Sequence, residues 1–262
     1  MGGEVLAERR IRRRAGASAA AEYAQLTREW RQRNRRFFQW GAAVCFIVVA
    51  LALLLGLGQL RGWLCGLLAG ITLAFYILAR ETPPAWVGQY LTGAVGEERT
   101  AKAVEPLLRA GWFIAHDLDR GQFNIDHVLV GPAGVFVLET KNLHGTVVLD
   151  GDQATLTRPG RERPDYQGSW WAREGRSHAA DANSFFRQRV QVRPWVTAVV
   201  VLWADFPQRQ YDGDKVTFVH GDDLANWLQS QPERLNPPQV ERLRAALEPR
   251  HRSKPERVTP AA

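Results

Sequence analysis

Residues 40–79 hold a single charged side chain, Arg61, and this gap in the charge constrains the fold more than any other feature. The uncharged runs 40–60 and 63–79 lie on either side of it, and as helices they would be about 31 and 26 Å long. The hydrocarbon core of a bilayer is about 30 Å thick. The pattern predicts a transmembrane helical hairpin. A pair of buried core helices is the alternative, although uncharged runs this long are rare in soluble domains.

Basic residues beside the hairpin predict its orientation. The connection carries only Arg61, whereas Arg80 follows the second run and five arginines lie just before the first: Arg28, Arg31, Arg33, Arg35 and Arg36. The positive-inside rule therefore places both termini in the cytoplasm, with two spans in the inner or plasma membrane. Small residues offer packing faces for a homo-oligomer through the hairpin: Gly56, Gly58 and the pair Gly66-x-x-x-Gly70.

The net charge of +7 belongs almost entirely to the N-terminal arm, residues 1–39. That arm carries ten Arg and four Glu, whereas residues 80–262 hold equal numbers of basic and acidic side chains. The arm is either a basic cytoplasmic surface for anionic lipid or nucleic acid, or only a determinant of topology. Two cysteines exclude a disulfide scaffold and a four-cysteine zinc site.

The chain beyond the hairpin divides into a linker (80–92), a folded domain (93–248) and a disordered tail (249–262). Apolar periodicity predicts helices over 93–110, 177–191, 222–229 and 238–247, and strands over 112–116, 124–130, 135–140, 146–149, 154–157, 196–203 and 216–220. This order of elements predicts an α/β fold in which helices flank a mixed sheet.

Three charged residues on neighbouring predicted strands suggest chemistry. If the turn 131–134 closes a hairpin, Asp126 faces Glu139 across the two strands, and Lys141 shares their face of the sheet. Two adjacent carboxylates can hold Mg²⁺ or Mn²⁺, while a lysine can orient water or donate to a phosphate oxygen. Together they fit metal-assisted phosphodiester hydrolysis. A surface salt bridge of little stabilising value is the alternative.

A third acidic residue, Glu97, lies on the apolar stripe of the first predicted helix, so it is expected to point towards the sheet. There it would bind the metal or hold the lysine, and a capping role is the alternative. His127 points to the face opposite Asp126 and is expected to be a core residue. His116, Asp117 and His144 lie near strand ends and are candidates for the rim of the site. Trp170 and Trp171 are candidates either for stacking on nucleic-acid bases or for the membrane interface. They lie in a predicted loop with four arginines: Arg161, Arg163, Arg173 and Arg176.

Taken in order, these motifs resemble the nuclease-related (NERD) domain: Gly93-x-x-Gly96-Glu97, Ile125-Asp126-His127-Val128, Gly131-Pro132-x-Gly134-Val135-Phe136, Glu139-Thr140-Lys141-Asn142 and Gly145. The resemblance covers about residues 90–205 and implies a fold like that of the restriction-endonuclease-like PD-(D/E)xK enzymes. By this resemblance Asp126 and Glu139 are metal ligands, Lys141 is the catalytic lysine, and Glu97 is the helix-borne acidic residue. The family commonly has a glutamine on the later helix, and Gln188 is not assigned that role.

Two hypotheses about function follow. The first is a membrane-anchored protein that hydrolyses nucleic acid, foremost DNA, on the cytoplasmic side with Mg²⁺ or Mn²⁺. The second is a catalytically inactive module of the same fold that binds nucleic acid or a protein partner at the membrane. The two differ in whether Asp126, Glu139 and Lys141 bind a metal and turn over a substrate.

Overall fold

The computed structural model describes residues 15–55, 59–119, 124–161, 163–190 and 193–248. They fall into two compact units, a helical unit (Ser18–Ala94) and an α/β unit (Met1–Ala17 with Val95–Ala262). Three predicted features lie outside the described residues, namely the first 14 residues of the arm, the tail 249–262, and the glycines Gly56 and Gly58.

The helical unit is built around an antiparallel helix pair. Its helices begin and end as follows: α1 (Ala17–Arg33), α2 (Arg35–Leu55), α3 (Gln59–Glu81) and the first half of α4 (Ala85–Val104). Helices α2 and α3 contact each other where Tyr76 Oη donates to Phe38 O at 3.3 Å and Cys45 Sγ lies 3.7 Å from Thr72 O. The prediction that the connection between the two runs lies at Arg61 is wrong, because this residue lies inside α3. Arginine is a good helix former, so its charge does not end the helix.

Within the described residues, one helix segment is long and apolar enough to cross a membrane, Gly62–Glu81, with a mean hydropathy of 1.9. It contains the predicted span 63–79, whereas the predicted span 40–60 remains a prediction. The linker differs from expectation. Only residues 82–84 are non-helical between α3 and α4, because proline is well tolerated where a helix begins.

The α/β unit contains a mixed sheet, as predicted. Its strands are β1 (Phe113–Asp119), β2 (Asn124–Gly131), β3 (Gly134–Asp150), β4 (Gln153–Thr157), β5 (Tyr166–Gly168), β6 (Val196–Asp205), β7 (Gln210–Asp212) and β8 (Val216–His220). The main order is β1-β2-β3-β6-β8-β7, and β4 and β5 extend from the second half of β3. Strand β6 is parallel to β3 and β8, whereas the other neighbours are antiparallel.

Helices cover both faces of this sheet. The remaining helices are α5 (Trp170–Arg189), α6 (Leu224–Ser230), α7 (Pro237–Leu247) and the 3₁₀ segments Glu105–Ala110 and Gly221–Asp223. Helices α5 and α7 pack on one face, where Phe186 and Leu243 are fully buried. The 3₁₀ segment after α4 and helix α6 pack on the other, where Leu107 and Leu228 are fully buried. The central β6 is apolar on both faces, as expected of a strand covered twice.

The predicted hairpin register is confirmed for Val130 opposite Val135 and Val128 opposite Val137. The ladder ends one pair before Asp126 and Glu139, with His127 opposite Leu138. Other boundaries differ from prediction. Strand β3 is one strand instead of two, with a register shift against β6 between Asn142 and Thr146. Helix α5 begins at Trp170 instead of residue 177, and β5 and β7 were not predicted.

Candidate active site

The centre of the site is a buried ion pair on β3. Glu139 and Lys141 are two residues apart, so their side chains leave the strand on the same face of the sheet. Lys141 Nζ lies 2.9 Å from Glu139 Oε1, and Glu139 is only 5% exposed. The pair is therefore part of the interior and not a surface salt bridge.

Helix α5 adds two residues that the sequence analysis missed. Glu174 Oε2 accepts a hydrogen bond from Lys141 Nζ at 2.7 Å, and His178 Nδ1 lies 2.8 Å from Glu139 Oε2. Their i, i+4 spacing places them on one face of the helix. That spacing is the available signal, but the sequence pattern predicts a helix that begins only at residue 177, which leaves Glu174 in a loop.

Asp126 comes from the neighbouring strand, β2. Its Oδ2 accepts a hydrogen bond from the backbone N–H of Thr140, between the two residues of the ion pair, at 2.8 Å. In the β1–β2 ladder, His116 pairs with His127 and Leu118 pairs with Ile125. This register places Asp117 opposite Asp126. Asp117 is buried and has a positive φ of 51°. Three adjacent strands therefore bring acidic side chains to one region of the sheet.

Glu97 reaches the same region from α4, as predicted. It is 9% exposed, and its Oε2 accepts a hydrogen bond from the backbone N–H of Gly16 at 2.9 Å. Asp117, Glu139 and Lys141 are close enough for their charges to influence the pKa of Glu97. The structure therefore assembles all four residues named from the sequence, together with Asp117, Glu174 and His178.

The cluster contains more carboxylates than cations, and burial together with this excess raises the pKa values of two of its acids. Burial, with the nearby charges of Glu139 and Glu97, raises the pKa of Asp126 well above its ordinary value. Burial and the charges of Asp117 and Glu139 raise the pKa of Glu97 to about 7. Each of these carboxyls therefore ionises less readily than it would in water, and a bound cation would reverse this effect.

The central ion pair behaves in the opposite way. Burial disfavours the charge on Glu139, but the hydrogen bond from His178 and the charge of Lys141 outweigh it and lower the pKa of Glu139. Burial likewise disfavours the ammonium of Lys141, but Glu139 and Glu174 raise its pKa above the ordinary value. Lys141 is therefore held as a cation at neutral pH and acts as a hydrogen-bond donor.

The segment that carries this cluster matches the model of one protein family over residues 92–203. That family is NERD, the nuclease-related domain. The match includes α5, β1, β2, β3 and most of β6, and it covers less than half of the chain. Comparisons with curated proteins and with solved structures give no match. The resemblance inferred from the motifs is therefore confirmed for this segment.

The segment that matches the nuclease-related domain contributes carboxylate oxygens, the donor type that a magnesium-like cation takes. In the described parts of the chain, no group of three or more His, Cys, Asp or Glu side chains is arranged to hold a metal ion. Mg²⁺ commonly binds through one or two carboxylates and completes its coordination with water and substrate phosphate. Asp126 and Glu139 supply two such carboxylates, and each oxygen already engaged retains a second lone pair.

The stability of the metal-free nuclease-related domain is expected to fall as pH rises from 4.5 to about 7, the ordinary and raised pKa values of Glu97. The protonated carboxyl is favoured in the folded state, so its ionisation costs stability, by about 3 kcal/mol at most. Urea unfolding of the parent and Glu97→Gln below and above this range measures the effect. Glu98→Gln is the matched control, since Glu98 is solvent-facing and 3.3 Å from Lys102. An equal pH dependence in parent and Glu97→Gln would contradict the assignment.

Gly96 allows α4 to approach β3 closely enough to present Glu97. A Cβ at this position would lie 2.5 Å from Asn142 Cβ and 3.2 Å from Thr140 Cγ2. Gly96→Ala is therefore expected to destabilise the domain by about 1–3 kcal/mol, as overpacking does. Gly93→Ala on the same helix has open space in the described structure and is expected to stabilise by up to about 1 kcal/mol. Thermal unfolding of both variants measures this difference, and equal shifts would contradict the close approach.

The other residues singled out from the sequence lie apart from the ion pair. His127 is fully buried, as predicted, with its Nδ1 2.7 Å from Nδ1 of His116. His144 and Gln188 are exposed. Trp171 is a core residue stacked on Tyr166, with ring centroids 4.6 Å apart, so the predicted tryptophan pair is not a single exposed surface.

Proposed function

We propose that this protein hydrolyses phosphodiester bonds in nucleic acid, foremost DNA, with Mg²⁺ or Mn²⁺ held by Asp126 and Glu139. The observation that carries the proposal is the buried Glu139–Lys141 pair, surrounded by carboxylates whose pKa values are raised. Repulsion among buried carboxylates lowers the stability of the fold, and such clusters are typical of sites where a cation or substrate binds and offsets the repulsion. We interpret the arrangement as a PD-(D/E)xK site, and the match to the nuclease-related domain supports this proposal.

The residues have separate tasks in this mechanism. The metal ion would supply Lewis-acid chemistry and neutralise the charge that develops at phosphorus. Lys141 Nζ, held as a cation, donates a hydrogen bond to a phosphate oxygen or to the attacking water. Its raised pKa makes it unsuited to take a proton at neutral pH. Glu174 and His178 are positioning residues that orient Lys141 and Glu139.

We further propose that α2 and α3 anchor the protein in the inner or plasma membrane, with both termini cytoplasmic. Large apolar side chains are exposed along both helices, including Trp40, Phe46, Leu54, Leu68 and Phe75. Such exposure is unfavourable in water and ordinary in lipid. Gly66 and Gly70 border open space in the described structure and remain candidates for helix packing in a homo-oligomer.

A catalytically inactive binding module is the second candidate, because Lys141 is already occupied by two carboxylates. A cleavage assay separates the two. The full chain in detergent is incubated with labelled DNA or RNA and Mg²⁺, Mn²⁺ or a chelator. Cleavage that requires metal and is lost in Glu139→Gln, but not in Glu98→Gln, supports hydrolysis. Binding of the strands without cleavage in any metal would favour the inactive module.

A further inference from the structure

We propose that the α/β unit has a second nucleic-acid site, for single-stranded nucleic acid, at the end of the sheet opposite the candidate active site. Its centre is Trp195, which lies just before β6 and is 66% exposed. We call it the Trp195 patch, formed by Arg193, Trp195, Arg234 and Arg242. It extends the proposed function, because a strand bound here could also reach the acidic cluster.

The parallel pairing of β3 and β6 fixes the position of the patch. Val135 is opposite Val196, next to Trp195, whereas Lys141 is opposite Leu202. Val135 and Lys141 are six positions apart on β3, which corresponds to about 20 Å at the rise of a β-strand. The patch is therefore separate from the acidic cluster and has its own set of side chains.

The patch has the charge and shape of a phosphate-binding surface. Arg193, Arg234, Arg242 and Trp195 line a cavity of about 430 Å³, and none of its described lining residues is acidic. In the portion of the chain that is described, none of the three guanidinium groups is paired with a carboxylate. Unpaired arginines beside an exposed indole suit a ligand that has both a phosphate and an aromatic base.

The backbone beneath the patch is firmly held. The N–H groups of Arg234 and Leu235 both donate to Pro132 O, at 2.8 and 2.9 Å. Asn236 and Gln239 form a reciprocal capping box that starts α7, the helix that carries Arg242. Arg234 and Arg242 therefore extend from ordered backbone, which lowers the entropy lost when a ligand binds.

Two further cavities extend the surface and favour a strand over a single nucleotide. Trp195 also borders a cavity of about 230 Å³ beside Trp227, Gln231 and Asp212, and one of about 310 Å³ beside Asn183 and Lys215. Asp212 is the one acidic lining residue among the described residues of the three cavities, and its carboxylate accepts a hydrogen bond from Thr217 Oγ1 at 2.9 Å. The three cavities share Trp195, so they give a track with the indole at its centre. Aromatic stacking and phosphate contacts repeated along a track are the usual basis of single-strand binding.

The arginine-rich loop before α5, together with the first turns of that helix, is a weaker candidate for this role. Arg158 and Arg161 are both paired with Asp165, and Arg176 is paired with Asp152. Its exposed tryptophan, Trp170, stands beside Arg173, whose guanidinium lies 4.9 Å from the ring centroid. Trp170 and Arg173 therefore provide a control with the same residue types as the patch and a different location.

The test is the binding of a fluorescently labelled single-stranded oligonucleotide to the full chain in detergent, measured by anisotropy with chelator present. Trp195→Ala is expected to weaken binding about tenfold, as loss of one stacking contact does. Arg234→Ala with Arg242→Ala is expected to lower the slope of log affinity against log salt by about 1.4, or 0.7 for each lost phosphate contact. Trp170→Ala with Arg173→Ala is expected to bind like the parent.

Parent-like affinity in both patch variants, or loss of binding only in the Trp170/Arg173 variant, would overturn the proposal. Displacement of the strand by free mononucleotide at the same nucleotide concentration would also overturn it, because a track gains from linked contacts. The patch residues are exposed, so unchanged thermal unfolding is expected to verify folding. Since the chelator prevents metal-dependent cleavage, a failure of the proposed hydrolysis leaves the binding result interpretable.

Discussion

Replacing Asp126 by asparagine is expected to abolish phosphodiester hydrolysis while stabilising the metal-free protein. Activity is expected to fall by about 100-fold or more, as when a group that stabilises transition-state charge is removed. Stability is expected to rise by about 1–2 kcal/mol at neutral pH. The amide oxygen of asparagine can still accept the hydrogen bond from Thr140 N, so the fold keeps its contact.

The sign of the stability change follows from the raised pKa of Asp126. Its carboxyl is favoured in the protonated form when the protein is folded, so stability falls as pH rises from 3.8 through the raised pKa. Asparagine removes that cost at neutral pH. Urea unfolding with chelator present measures it, and Asp150→Asn, an exposed residue on β3, is the control. A loss of both activity and stability would point to a structural role for Asp126.

Replacing Lys141 by methionine is expected to be the most destabilising change in the site. The substitution leaves Glu139 and Glu174, which lie 2.9 and 2.7 Å from the ammonium, without their shared cation. Removal of one partner from a buried ion pair costs about 3–5 kcal/mol. We expect the midpoint of urea unfolding to fall accordingly, and hydrolysis to be lost even where the variant remains folded.

A second substitution separates the charge effect from the loss of packing. Glu174→Gln in the Lys141→Met background is expected to restore part of the lost stability, because it removes one of the two carboxylates, but not the hydrolysis. Lys102→Met is the control, since Lys102 is 71% exposed and an exposed pair contributes about 0–1 kcal/mol. Equal destabilisation by Lys102→Met and Lys141→Met would contradict a buried network.

The hairpin of β2 and β3 could be predicted because local rules determine it. A four-residue turn between two apolar alternating runs fixes the register, and the register places Asp126, Glu139 and Lys141 on one face. The apolar stripe of α4 likewise gave the inward direction of Glu97. The positions of Asp126, Glu139, Lys141 and Glu97 in the site therefore follow from strand alternation and helix periodicity alone.

The rest of the site depends on tertiary packing that the sequence pattern does not reveal. The first turns of α5 follow a polar stretch and include Gly175, which has low helix propensity. In the fold, a Cβ at Gly175 would lie 3.5 Å from Val200 Cγ2 and 3.7 Å from Val216 Cγ2, so close contact with the sheet stabilises this helix. Glu174 therefore lies on a helix that propensity alone would not extend so far. The ladder likewise ends before Asp126 because its side chain bonds to the Thr140 backbone.

The most direct test of the central claim is a calorimetric titration of the full chain in detergent with Mn²⁺. The parent is expected to bind the ion, and Asp126→Asn is expected to lose that binding although it unfolds at a higher denaturant concentration. Glu98→Gln is expected to bind as the parent does. A folded parent that binds no Mn²⁺, or an Asp126→Asn variant that binds it as well as the parent, would contradict a metal-dependent hydrolase.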